Sequence, residues 1–331
     1  MELPKKYTLE GDPVWKEIDY LISSYPYKKE IWAHQKVSPE QVSNFHQQQI
    51  RKIVSGNSDF YQWMDGDTLK GFFILQKSEW PSTMLKRNVV RVDYPLYWNE
   101  VSLEEWAQIL SEIPKLSAKF NPEILDIKID SSDLNSFWGL SRNGWYWLGL
   151  SIILGLDTKV LDNHYIEKYT VREGSVIKIR DCLNDDLPHI KAIAHKSHER
   201  NHYLNNPAIP EDIKNDIFPK WLEKCFNGLA SKIMVAEHEG EIAGFITLMH
   251  NRSFSKIVGR EFGIVDFVAV SPEFQGEGIG GKLMIAGMNY LNETSSYIML
   301  RTMHDNYGAI KFYQKLGFTI IGGDHHFQYE C

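Results

Sequence analysis

Apolar and polar residues recur along the chain in two successive runs of the same kind. From Phe60, Phe-Tyr-Gln-Trp-Met, then Asp65-Gly-Asp, then Gly71-Phe-Phe-Ile-Leu reads as strand, tight turn, strand. Asn88-Val-Val-Arg-Val-Asp-Tyr predicts another strand, and Ser102 to Leu110 a helix opened by Ser102 and Glu105 at capping-box spacing. Leu125-Asp-Ile-Lys-Ile alternates as a strand, and Trp145 to Leu154 closes the run. Ahead of them, Tyr7 to Ile53 reads as short helices broken by Pro13, Pro26 and Pro39.

The second run repeats that order. Val176-Ile-Lys-Ile-Arg is followed by a helix from near Asp185. Ile233-Met-Val-Ala-Glu, Glu239-Gly-Glu and Gly244-Phe-Ile-Thr-Leu again spell strand, turn, strand. A long apolar strand, Phe262 to Val270, leads through a glycine-rich turn to a helix, Ile279 to Leu291. Ile298-Met-Leu-Arg, a short helix and Phe318-Thr-Ile-Ile complete the series. Asp65-Gly-Asp-Thr-Leu-Lys-Gly-Phe-Phe-Ile-Leu aligns with Glu239-Gly-Glu-Ile-Ala-Gly-Phe-Ile-Thr-Leu, and Asn143-Gly-Trp-Tyr-Trp-Leu-Gly with Leu316-Gly-Phe-Thr-Ile-Ile-Gly. The shared order predicts an internal duplication in which the first copy lacks the glycines. Two domains are expected, 1–170 and 171–331, joined by a linker near Glu167 to Ser175.

Composition narrows the chemistry. The 331 residues suit two domains, and 36 basic against 43 acidic side chains give a net charge of −7. Clustered Lys and Arg are lacking, which argues against nucleic acid as a partner, so any anionic ligand needs a local device. Cys182, Cys225 and Cys331 show neither metal spacing nor a disulfide framework. With no signal peptide at Met1 and no membrane span, a cytoplasmic protein is expected, without a membrane partner.

That local device is Phe267-Val-Ala-Val-Ser-Pro-Glu-Phe-Gln-Gly-Glu-Gly-Ile-Gly-Gly-Lys, a strand running into a turn with four glycines between Gln275 and Gly281. Glycine lets backbone N–H groups converge, and the helix N-terminus adds roughly half a positive charge. Together they suit a pyrophosphate. No G-x-x-x-x-G-K-[ST] is present, and the turn lies too late for a dinucleotide fold.

Gln275, Gly278 and Gly280 meet the [QR]-x-x-G-x-[GA] pattern, and Asn306-Tyr-Gly-Ala-Ile-Lys-Phe-Tyr-Gln-Lys-Leu-Gly-Phe follows at a suitable distance. On these two motifs, residues 175 to 331 resemble the GNAT superfamily of CoA-dependent N-acyltransferases. The resemblance implies an α/β fold of tandem GNAT-like domains, each a mixed, largely antiparallel sheet flanked by helices. It implies acetyl-CoA or a longer acyl-CoA as donor and no metal. The main chain of Phe267, Val268, Ala269 and Val270 would meet the acyl carbonyl and pantetheine. Gln275, Gly276, Glu277, Gly278, Ile279, Gly280, Gly281 and Lys282 would hold the pyrophosphate, with Asn306, Ala309 and Phe312 as further CoA contacts. Tyr313 stands where the family's motif tyrosine protonates the departing thiolate, although it also shares an apolar helix face with Ala309, Ile310 and Leu316.

Asp266, in phase with Val268 and Val270 on an apolar run, is either a structural partner or a general base. His198-Glu-Arg-Asn-His202 spells H-E-x-x-H, but Arg and Asn fill its middle and no third ligand is near, which counts against zinc. The segment, followed by Phe218-Pro-Lys-Trp-Leu, is similar to bacterial enzymes that N-acetylate TDP-linked amino-dideoxysugars. That makes His198, Arg200, His202, Tyr203 and Trp221 acceptor contacts, or else solvated loop residues. The expected reaction is transfer of an acyl group to the primary amine of a nucleotide-linked amino sugar for surface polysaccharide. Aminoacyl or peptidyl transfer, a zinc hydrolase and a CoA-sensing regulator are the rivals. A homodimer is one option for the assembly.

Overall fold

In the computed structural model, residues 3–7, 13–24, 29–161, 176–197 and 202–331 are described. The chain divides into two units, Met1–Ser151 with Gly322–Cys331, and Ile152–Ile321. The expected linker and the 170/171 boundary lie outside the described residues.

The first run of the sequence forms β1 (Lys5–Tyr7), α1 (Pro13–Ser24), α2 (Lys29–His34), α3 (Pro39–Val54), β2 (Ser58–Asp65), β3 (Thr68–Lys77) and α4 (Glu79–Leu85). It continues with β4 (Val89–Tyr97), α5 (Leu103–Leu116), β5 (Ile124–Asp130), α6 (Leu134–Arg142) and β6 (Tyr146–Asp157). The second forms β7 (Ile177–Asp181), α7 (Leu187–Ser197), α8 (Glu211–Lys224), β8 (Lys232–His238), β9 (Glu241–His250) and α9 (Arg252–Val258). After it come β10 (Glu261–Val270), α10 (Ile279–Asn292), β11 (Ser295–Met303), α11 (Tyr307–Lys315) and β12 (Thr319–Glu330). Pro13 and Pro39 open helices instead of breaking them, since the first helical residue needs no N–H. Ser38 and Gln41 close a capping box around the start of α3.

Pairing follows one scheme in both units. The first three strand pairs, β1–β2–β3–β4 and β7–β8–β9–β10, are antiparallel, and the next, β4–β5 and β10–β11, is parallel. Each unit is therefore a mixed, largely antiparallel sheet with helices, the expected fold class. The last strands are exchanged along the sequence. Asp324–Glu330 of β12 pair with Asp130–Ile124 of β5, while β6 neighbours β11. This exchange is why residues 322–331 belong with the first unit, whereas a division of the sequence at 170/171 keeps them with the second.

Two apolar cores flank the sheet of the second unit. On one face Leu283, Met284 and Met288 of α10 pack with Ile246, Val265, Leu300 and Tyr313. On the other, Ile190 and Ala194 of α7 and Leu222 of α8 meet Val235, Phe245, Phe267 and Ala269. Each fully buried Leu, Ile or Phe contributes about 1.5–3 kcal/mol, which holds β10 rigidly between two layers. No helix among the described residues is long and apolar enough to cross a membrane.

Candidate active site

β10 carries the centre of the site. Its parallel pairing with β11 ends at Val265 opposite Leu300, while its antiparallel pairing with β9 continues to Val270 opposite Gly244. Beyond Val265 the strand therefore has a partner on one side only. The bond from Ser271 N–H to Ala243 C=O (2.8 Å) fixes the phase of the ladder. By antiparallel alternation Phe267 and Ala269 bond to β9, and Val268 and Val270 direct their peptide groups to the open side. Gln275 confirms the direction, since its side-chain amide donates to the Val270 carbonyl at 3.4 Å.

The register of β10 against β9 shifts between Val265 and Phe267, so Asp266 is the extra residue of a β-bulge. This corrects the expected phase of Asp266. Val268 and Val270 pack toward α10, whereas Phe267 and Ala269 lie on the α7–α8 face. Asp266 shares that second face, because its Oδ2 accepts from Trp221 Nε1–H of α8 at 2.8 Å. Thr247 Oγ1–H of β9 (3.1 Å) and Cys225 Sγ–H (3.8 Å) donate to the same oxygen. Burial raises the Asp266 carboxyl above the usual range against the pull of these donors. The Cys225 thiol, pushed up by burial and by Asp266, stays protonated.

Between β10 and α10 the chain forms the glycine turn. Gly276 (φ 91°) and Gly278 (φ 80°) take left-handed conformations that suit glycine, and a Cβ at either would enter open space. Gly278 caps α10 without a side-chain hydrogen bond, and no acid stands in the first turn. The first helical bond runs from Lys282 N–H to Gly278 C=O, so the N–H groups of Ile279, Gly280 and Gly281 point ahead of the helix. Glu277, an acid inside an anion loop, is turned to His238 Nε2 at 3.2 Å. This geometry fits the diphosphate of an acyl-CoA.

Asn306 caps α11, accepting from Ala309 N–H and donating to Thr302 Oγ1 at 3.2 Å. Ala309 and Phe312 are partly buried against the core that contains Tyr313. Burial pushes the Tyr313 phenol up to about 12, so it holds its proton at neutral pH. His202 and Tyr203 sit in a 3₁₀ turn with ring centroids 4.0 Å apart. His198 and Arg200 lie outside the described residues. Trp221, expected at the acceptor, directs its N–H to Asp266. Thr247 and Cys225 were not anticipated, and no spacing in the sequence brings them to Asp266.

Residues 196–318 match the model of the Acetyltransferase (GNAT) family. That stretch is similar to the GNAT acetyltransferases, and the match supports a CoA-dependent N-acyltransferase. The spore coat polysaccharide biosynthesis protein SpsD of Bacillus subtilis (strain 168) is 21% identical over 258 residues, 77% of this chain and 82% of that protein. A mycothiol acetyltransferase of Amycolatopsis mediterranei (strain U-32) is 34% identical over 111 residues, 33% of this chain and 35% of its own length. The chain thus spans about a third of that relative. A tandem GNAT protein from the clavulanic acid biosynthesis pathway shares the fold at TM-score 0.54 and 10% identity, over 99% of this chain and 97% of that one.

Proposed function

We propose that the second unit transfers an acetyl or longer acyl group from acyl-CoA to the primary amine of a nucleotide-linked (dTDP) amino-dideoxysugar, for surface polysaccharide. The observation that carries the transfer is the half-paired end of β10 running into an uncapped helix N-terminus. Backbone amides from Gly276 to Gly281 take the diphosphate, the expected Lys282 N–H being held by the Gly278 carbonyl instead, and this needs no cationic surface. Val268 N–H donates to the acyl oxygen as charge develops there. Asp266 takes a proton from the acceptor ammonium, and the neutral amine attacks the thioester carbonyl directly. The C–S bond breaks as Tyr313 gives its proton to the leaving sulfur, and the second N–H proton, released as the amide forms, passes through water to restore the phenol. Burial keeps the phenol protonated throughout the working range, so the proton that the leaving sulfur takes is present.

The acceptor class is supported by the likeness to SpsD along most of the chain. His198, Arg200, His202 and Tyr203 are the acceptor contacts of this reading, with Arg200 suited to a diphosphate. The first unit is a degenerate copy that has lost the cofactor cradle, and the enzyme works in the cytoplasm. A second reading, a small amine without a nucleotide, is favoured by the higher local identity to the mycothiol acetyltransferase. Free-thiol release from acetyl-CoA and a longer acyl-CoA, against dTDP- and UDP-amino sugars and simple amines, separates the two. Turnover confined to a nucleotide sugar supports the first reading, and turnover confined to a small amine replaces it by the second.

A further inference from the structure

Asp266 is gripped by one of its two oxygens. Trp221 Nε1–H, Thr247 Oγ1–H and Cys225 Sγ–H all converge on Oδ2. Among the described residues no hydrogen bond reaches Oδ1. The grip comes from two elements, and Asp266 itself stands on a third. Trp221 and Cys225, four residues apart, share one face of α8 and the wide turn that continues it, Thr247 belongs to β9, and Asp266 stands on the bulge of β10. An indole N–H can only donate. An oxygen that already accepts from such a donor has fewer lone pairs left for the acid proton and is the poorer place for it. The three donors on Oδ2 thus favour Oδ1 for the acid proton.

We infer that Trp221 and Thr247 are positioning residues that fix Oδ2 and make Oδ1 the proton-accepting atom of Asp266. The inference rests on Asp266 acting as the base. In the step, one N–H bond of the acceptor ammonium breaks, its electron pair stays on nitrogen, and an O–H bond forms at Oδ1. The proton later passes to water. Trp221 then acts through Asp266 and not by stacking on the acceptor.

The acid limb of the pH–rate profile reads this arrangement. Among the described residues the Cys225 thiol is the one titratable group in contact with Asp266, and it stays protonated across the range. Both donors favour the charged carboxylate. Trp221→Phe keeps an aromatic ring and removes the N–H. With the acceptor found by the thiol-release panel, it should move the acid limb of kcat upward by about one pH unit, equivalent to about ten-fold at a pH below the limb. At high pH kcat should recover, and KM for acetyl-CoA should stay within about two-fold. Thr247→Val should shift the limb in the same direction by less. A limb that stays in place in both variants overturns the inference, whether or not the rate falls uniformly.

Asp266→Asn separates the two levels. If it keeps the wild-type profile, the assignment of the base fails. If it loses the limb while the Trp221 and Thr247 variants keep theirs, only the positioning role fails. A readout without acceptor is the Trp221 indole N–H resonance, assigned by through-bond correlations in the wild-type chain. It should titrate with the acid limb in the wild type and stay constant across pH in Asp266→Asn. A Trp221 resonance that ignores pH in the wild type contradicts the inference, even should Trp221→Phe fail to fold.

Discussion

The two strand-to-helix crossovers, β4 to α5 and β10 to α10, begin alike and end in opposite ways. In both, the parallel pairing of the strand stops early, at Val92 opposite Ile127 and at Val265 opposite Leu300. In both, the register against the antiparallel neighbour shifts at a Val-Asp-aromatic step, between Asp93 and Leu96 after Val92 and between Val265 and Phe267. Tyr94 even takes a left-handed φ of 52°. After that the two crossovers diverge. Residues 98–102 take β4 into α5, whereas residues 271–278 take β10 into α10.

The caps decide what each crossover can bind. Ser102 accepts from Glu105 N–H and Glu105 answers to the Ser102 backbone, with Glu104 beside it in the first turn. These hydrogen bonds hold the Glu105 carboxyl below the usual range. The N-terminus of α5 thus carries its own anions, and the cavity of about 330 Å³ near it is lined by Asp65, Glu100 and Glu105 against Lys70. Gly278 leaves α10 with neither cap nor acid. A shared strand split does not make an anion site; an unsatisfied helix terminus does.

The largest effect should come from filling the open cradle. Gly278→Glu sets a side chain at a left-handed position and a carboxylate against the diphosphate, a like-charge contact that costs several kcal/mol. Acetyl-CoA affinity should fall by roughly a hundred-fold or more, read by calorimetry; unchanged affinity removes the cradle from the account. Next, Tyr313→Phe should lower kcat by about a hundred-fold while the dissociation constant for acetyl-CoA stays put. A kcat within two-fold of the wild type makes Tyr313 a packing residue only.

Asp266→Asn should cut turnover without harming the fold at neutral pH. Burial raises the native carboxyl, so between the usual carboxylate range and the raised value the folded state binds more protons than the unfolded one. This group's contribution to stability therefore falls as pH rises through that window. Asn carries no such loss. Melting curves should show the variant gaining on the wild type from acid to neutral pH, and a difference constant with pH would contradict the burial of a titrating acid. The smallest effect belongs to the first crossover. Ser102→Ala should cost about 1 kcal/mol of stability and leave acetyl-CoA affinity as it is, checked by denaturant melts and the same calorimetry.

Local signals made the cradle and the element order legible. Glycines needed for left-handed turns, hairpin turns between apolar runs and the Ser102–Glu105 spacing all act within a few residues. The bulge at Asp266 escaped because counting alternate residues assumes that none is inserted, and one inserted residue reverses the face of all that follow. β12 past Ile321 escaped because Gly322-Gly323-Asp-His-His lacks an apolar rhythm. Its polar residues are nevertheless buried through pairing, Gln328 on Asp126 at 3.1 Å and His326 against Ser151 at 2.6 Å. Gly323 has to be glycine-small there, since a Cβ would lie 2.9 Å from the Ser151 carbonyl oxygen. Such partners come from across the sequence, where no spacing rule reaches. The grip of Trp221 and Thr247 on Asp266 was hidden for the same reason.

The comparison between the crossovers reduces to a count of cofactor sites. Calorimetric titration of the full-length wild-type chain with acetyl-CoA should give one site per chain, belonging to the uncapped terminus of α10. Two sites per chain, or none, would contradict the claim that the cap separates the crossover that binds the cofactor from the one that does not.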